Sequence, residues 1–126
     1  MKGRVMMARV MACLAALFLA SAGAAQLATS NGTGVTVRAL DKLTGKVEDL
    51  EIDARQSASM GRITITANEC RYPEANAAGE AYASLTISEL GKNAPVYQGW
   101  MIASSPALNP MDHPRYDVWV LRCTTS

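Results

Sequence analysis

A chain of 126 residues, 49% hydrophobic and 18% charged, suffices for one small domain and is too short for two separate cores. Its 12 basic and 11 acidic residues leave a net charge of only +1 and no basic stripe, which argues against nucleic acid as a partner. With Trp 2, Tyr 4 and Phe 1, aromatic mass is scarce, and a core must come from Val, Ile, Leu, Ala and the two tryptophans.

The first 25 residues have an order of their own. Lys2, Arg4 and Arg9 form a basic start, Val10 to Ala20 is an uninterrupted apolar run, and Ser21-Ala22-Gly23-Ala24-Ala25 is a small-residue stretch. That order is the pattern of a secretory signal peptide, with cleavage expected near Ala24 or Ala25. The apolar run is shorter than the roughly 20 residues a spanning helix needs, so no stable membrane span is expected after cleavage; a retained anchor is the competing reading. Cys13 reads as an ordinary apolar residue of the signal core. The sequence thus predicts a periplasmic protein divided into a signal peptide at 1–25, a flexible lead-in at 26–34 and a β domain at 35–124. Removing 1–25 takes three of the twelve basic residues and no acidic one, leaving a net charge of −2.

Two cysteines remain, Cys70 and Cys123. In an exported small domain an even count points to a disulfide, and two cysteines allow one internal pairing. A redox-active pair would be closely spaced, and these are far apart in sequence. Two cysteines and one histidine are a poor ligand set for zinc, so no metal and no cofactor are expected.

Six strand-like runs follow the lead-in. Val35 to Leu40 alternates apolar and polar residues, Asp41 to Lys46 (DKLTGK) reads as a turn, and Val47 to Ile52 returns as the second arm of a hairpin. Asp53 to Gly61 reads as a polar connection. Arg62 to Cys70 alternates with Ile63, Ile65 and Ala67 on one face, which leaves Cys70 on the polar face unless a bulge turns it inward. Ala81 to Leu90 places Ala81, Ala83, Leu85 and Ile87 together. Val96 to Ala103 is the fifth run and Asp117 to Cys123 the sixth. The sixth is apolar on both faces and is therefore expected at the centre of a sheet, covered on each side. Ser105 before Pro106 resembles a helix N-cap with proline at the first position, which predicts one short helical turn. The fold class is all-β: a single small sandwich or partly open barrel of about six strands.

The segment from Gly99 to Cys123 holds both tryptophans, the one histidine and three of the five prolines. His113 beside Asp112, with Ser104 or Ser105 as nucleophile, is the catalytic candidate. That chemistry needs base and nucleophile within hydrogen-bond reach, and no G-x-S-x-G elbow surrounds either serine. The competing reading has His113 and Tyr116 hydrogen-bonding loop carbonyls and fixing the return into the last strand, and it is preferred. Trp100, Tyr116 and Trp119, with Tyr97, are candidates for an aromatic platform that binds sugar or peptide; core plugs beside the disulfide are the preferred reading for the two tryptophans. Glu48, Asp49, Glu51 and Asp53 lack the spacing of a calcium loop and read as a solvated sheet face.

The runs GWMIASSPALN, HP and YDVWVLRC, together with Arg38 to Lys42, Thr44-Gly45, and Gly61 to Ile65 with Cys70, resemble an exported alphaproteobacterial family, domain of unknown function 2155. The resemblance covers most of residues 35–123, and the stretch after Cys70 departs from the family pattern, which is richer in proline and acidic residues there. It implies an envelope protein with paired cysteines and supplies no activity. The expectation from sequence is a non-catalytic β module that binds an envelope protein partner. A small hydrolase, or a glycan-binding or glycan-active protein, using the Trp100–Trp119 segment is the alternative.

Overall fold

A computed structural model describes residues 28–126; the signal-peptide reading of 1–25 lies outside the described residues. Eight strands form two antiparallel sheets, and no helix occurs among the described residues. They are β1 (Thr29–Asn31), β2 (Gly34–Asp41), β3 (Val47–Asp53), β4 (Ser57–Met60), β5 (Ile63–Pro73), β6 (Tyr82–Glu89), β7 (Tyr97–Ile102) and β8 (Tyr116–Thr124). One sheet runs β1-β5-β6-β7 with β4 also paired to β5; the other runs β3-β2-β8. Neither sheet closes on itself, so the architecture is sandwich-like.

Alternation builds the core. Val35, Val37 and Ala39 of β2, with Val118 and Val120 of β8, face Ile63, Ile65 and Ala67 of β5 and Ala83, Leu85 and Ile87 of β6, and all are buried. Tyr116 is the largest fully buried side chain. The register of β5 against β6 shifts between Ala67 and Glu69, and this bulge turns Cys70 from the polar face into the core. There it is bonded to Cys123, with the two Cα atoms 5.7 Å apart.

Four expectations need correction. Two strands were hidden in polar sequence: β1 lies within the supposed lead-in and β4 within the supposed connection at 53–61. On β4 the Ser57 and Ser59 hydroxyls meet those of Thr66 and Thr64 at 2.7 and 2.9 Å on the outer face, while Met60 is buried. The short helical turn at Ser105-Pro106 is instead a single turn closed by the Leu108 N–H on the Ser105 carbonyl at 3.0 Å. Asn109 then enters the left-handed region at φ 61, followed by Pro110, and the chain extends. β8 is an edge strand, not a central one, because β2 lies between it and β3. Finally, neither tryptophan plugs the core. Trp100 pairs across from Ser84 on the outer face of one sheet and is 44% exposed; Trp119 pairs across from Arg38 on the outer face of the other and is half-buried.

The sheets are stitched at the disulfide end by Asn31 to Gly34. Gly32 donates its N–H to the Cys70 carbonyl at 2.7 Å and Thr33 to that of Thr124 at 2.8 Å. A Cβ on Gly34 would press on the Ile52 carbonyl and lie 2.8 Å from Asp53 Cα, both backbone and unable to yield cheaply. Gly34→Ala is therefore expected to cost about 1–3 kcal/mol, read as a lower urea midpoint at an unchanged slope.

Candidate functional site

The connection between β7 and β8 carries the candidate residues, and side chains from elsewhere pin it. Glu80 accepts the Ser104 N–H at 3.0 Å and the Ser104 hydroxyl. Burial pushes the Glu80 carboxyl up, but these donors and the Ala81 N–H outweigh it and hold it below its ordinary range. Asn109 donates through Nδ2 to the Trp100 carbonyl at 3.0 Å, and Tyr97 Oη donates to the Asn109 carbonyl at 3.0 Å. The loop is thereby clipped along β7.

His113 anchors the second half of the connection and is 8% exposed. Its Nδ1 accepts two main-chain N–H groups, from Arg115 at 3.0 Å and Tyr116 at 3.1 Å. An accepting Nδ1 assigns the proton to Nε2, which donates to Glu89 Oε1 at 3.0 Å. Burial raises the Glu89 carboxyl, while the bonds from His113 and Lys92 more than offset that and leave it lowered. Lys42 Nζ donates to the His113 carbonyl at 2.7 Å. Both imidazole nitrogens are occupied, Ser104 is bonded to Glu80, and Asp112 is exposed. The fold thus brings His113 to Glu89 and to main chain, and does not assemble it with Asp112, Ser104 or Ser105 into a nucleophile–base pair. Tyr116 is fully buried, with its Oη accepting the Arg62 N–H at 3.0 Å, and its ring offers no ligand surface.

Arg115 grips Asp41 through two bonds of 3.1 and 2.9 Å. That guanidinium, working against burial and helped by the Leu43 N–H, lowers the Asp41 carboxyl to about 2. A depressed carboxyl is protonated more readily in the unfolded chain. Its stabilisation is complete above about pH 4 and is lost as pH falls toward about 2. Asp41→Asn is expected to flatten the melting-temperature profile in that window, measured by circular dichroism from pH 5 to 2. An unchanged slope would refute the role given to Asp41.

Sequence reasoning missed Glu80, Glu89, Asp41 and Arg115. Asp41 left a local trace, since its Oδ1 accepts the Leu43 N–H two residues on as a turn carboxylate does. The others act across sequence separations of 24 to 74 and leave none. On β3, Asp49 is bound by Arg38 at 2.8 and 3.0 Å across the outer sheet face. Among the described residues no group of three or more His, Cys, Asp or Glu is placed to hold a metal ion.

What remains open is the outside of β8. Trp119 and Leu121, half-buried, line a surface cavity of about 380 Å³ with Arg38, Ala103 and Pro106. Trp100 is on the opposite sheet, so the two tryptophans share no platform.

Comparison with known proteins agrees with the fold boundaries. An uncharacterized protein of Rickettsia prowazekii (strain Madrid E), RP359, is 28% identical over 96 residues, covering 74% of this chain; the chain spans 62% of that relative's length. No solved structure matches. The model of a family described as uncharacterized protein conserved in bacteria (DUF2155) matches residues 35–123, which run from the first residues of β2 to the second disulfide cysteine in β8. The chain belongs to the DUF2155 family.

Proposed function

We propose that this protein is an exported, periplasmic, non-catalytic β module that binds a protein partner of the cell envelope. Export rests on the basic, apolar and small-residue order of residues 1–25. The observation that carries the binding reading is the outer face of β8, an edge strand whose Trp119 and Leu121 remain half-buried beside an open cavity. Large apolar side chains left at a sheet edge are costly to solubility and are usually retained where a partner covers them. The engaged state of His113 supports the non-catalytic reading.

The test is a crosslinked pull-down of the mature protein from the envelope fraction, with the captured material and the mature N-terminus both read by mass spectrometry. One reproducible protein partner, together with an N-terminus at Ala25 or Gln26, is the expected result. Retained glycan or lipid with no protein partner would replace this reading by a small-molecule site at Trp119. An N-terminus at Met1 would make the protein a membrane-anchored one.

A further inference from the structure

Two cavities lie end to end along β8. The first, of about 380 Å³, is lined by Trp119, Val120 and Leu121 against Ala103 and Pro106 of the β7–β8 connection. The second, of about 350 Å³, is lined by Arg122 to Thr125 against Ala77 and Ala78 of the β5–β6 connection. Residues 119–125 therefore wall both cavities in succession, a trench in two parts along about 20 Å of strand. β8 is hydrogen-bonded on one side only, to β2, so among the described residues its other edge stands open beside this trench. The edge of β7 is different, because the Asn109 side-chain amide already occupies the Trp100 carbonyl.

Charge indicates what fits. Each cavity has one arginine in its wall and no carboxylate. Arg38 is already engaged by Asp49, whereas exposed Arg122 makes no ion pair within 4 Å among the described residues and reaches Asp49 only at longer range. The other edge of the same sheet, β3, carries Glu48, Asp49, Glu51 and Asp53 and would repel an acidic strand. The pairing of β8 with β2 shifts between Thr36 and Val37, so that Leu121 is an extra residue on β8. Such a bulge twists an edge away from indiscriminate pairing with further copies, which favours a distinct partner over self-assembly.

We infer that β8 receives an extended segment of the partner protein as an added strand, with an apolar side chain seated between Trp119 and Pro106 and a carboxylate on Arg122. Main-chain bonds supply affinity in this mode, and the alternate side chains supply selection. The inference rests on the interaction-module reading and adds its mode and the chemistry of the segment.

The probes are fluorescein-labelled peptides of about seven residues. They alternate Thr and Val around a central Leu and carry one Asp at successive positions, beside a matched Lys series. They are titrated against the mature protein by polarisation, and hydrogen exchange locates the protected amides. The expected result is that the best Asp peptide binds about fivefold tighter than its Lys counterpart. Protection should fall on Trp119–Thr124 and not on Val47–Asp53, and Arg122→Glu should reverse the charge preference. Leu121→Ser, also on the surface and neutral, should weaken both series alike. No preference, no binding, or protection on β3 would overturn the inference. So would a dimer in sedimentation that protects the β8 amides without peptide, since the occupant would then be a second copy. If the peptides fail while the pull-down yields a partner crosslinked elsewhere, the strand-addition mode falls alone. If the pull-down yields no protein, the interaction reading falls with it.

Discussion

Cys70→Ser is expected to lower the melting temperature by about 20 °C in oxidising buffer, and to leave it close to that of the wild type once both are reduced. The bond spans 53 residues of sequence. On the chain-entropy account, closing a loop of that length removes about 4 kcal/mol of freedom from the unfolded chain. A domain of this size unfolds with an entropy that turns each kcal/mol into several degrees. The effect is large here because the core is built of Val, Ile, Leu, Ala and Met with a single fully buried aromatic, Tyr116, and has little surplus. The bond also joins β5 to β8, one strand from each sheet, beside the crossing of Asn31 to Gly34. Its loss lets the two layers separate at that end. Scanning calorimetry with and without reductant decides the matter. Equal losses in both buffers would mean that the serine perturbs packing and that no bond contributes.

His113→Ala should also unfold the protein readily, with a melting temperature lower by about 10–20 °C. The substitution strips the acceptor from two main-chain donors, the Arg115 and Tyr116 N–H groups, next to a fully buried tyrosine. Each buried donor left unsatisfied costs about 1–3 kcal/mol. Glu89 loses its partner at the same time. His113→Asn is the informative companion, because its amide oxygen can stand where Nδ1 stands and accept the same N–H groups. About half of the lost stability should return with it. A His113→Ala protein that melts normally but fails in the cell would contradict this account and reopen a chemical role for the imidazole.

The strands that were legible from sequence are those whose two faces differ in polarity. β2, β5 and β6 announce themselves through alternation, and each buried position follows from it: Val35, Val37 and Ala39; Ile63, Ile65 and Ala67; Ala83, Leu85 and Ile87. β1 and β4 escaped because Thr29–Asn31 and Ser57–Met60 are small and polar, and they are strands only because β5 is long enough to pair with both. Their stability is borrowed from a neighbour, which no local pattern encodes.

The candidate site divides in the same way. That His113 braces the loop's return was readable, but its partners were not the expected carbonyls: Nδ1 accepts the N–H groups two and three residues on, because the chain folds back over the ring at the start of β8. That Nε2 meets Glu89 was not, because β6 and the β7–β8 connection are brought together only by sheet packing.

By itself, the sequence determined an all-β domain with paired cysteines, since face alternation and cysteine number are local properties of the chain. Only the tertiary structure decided that β8 is an edge. Apolar residues on both faces are compatible with a central strand or with an edge whose second face is left for a partner, and strand order alone tells these apart. Strand order is set by long-range pairing, Val37 with Val120 and Arg38 with Trp119, between residues about 80 positions apart that carry no sign of each other in the chain.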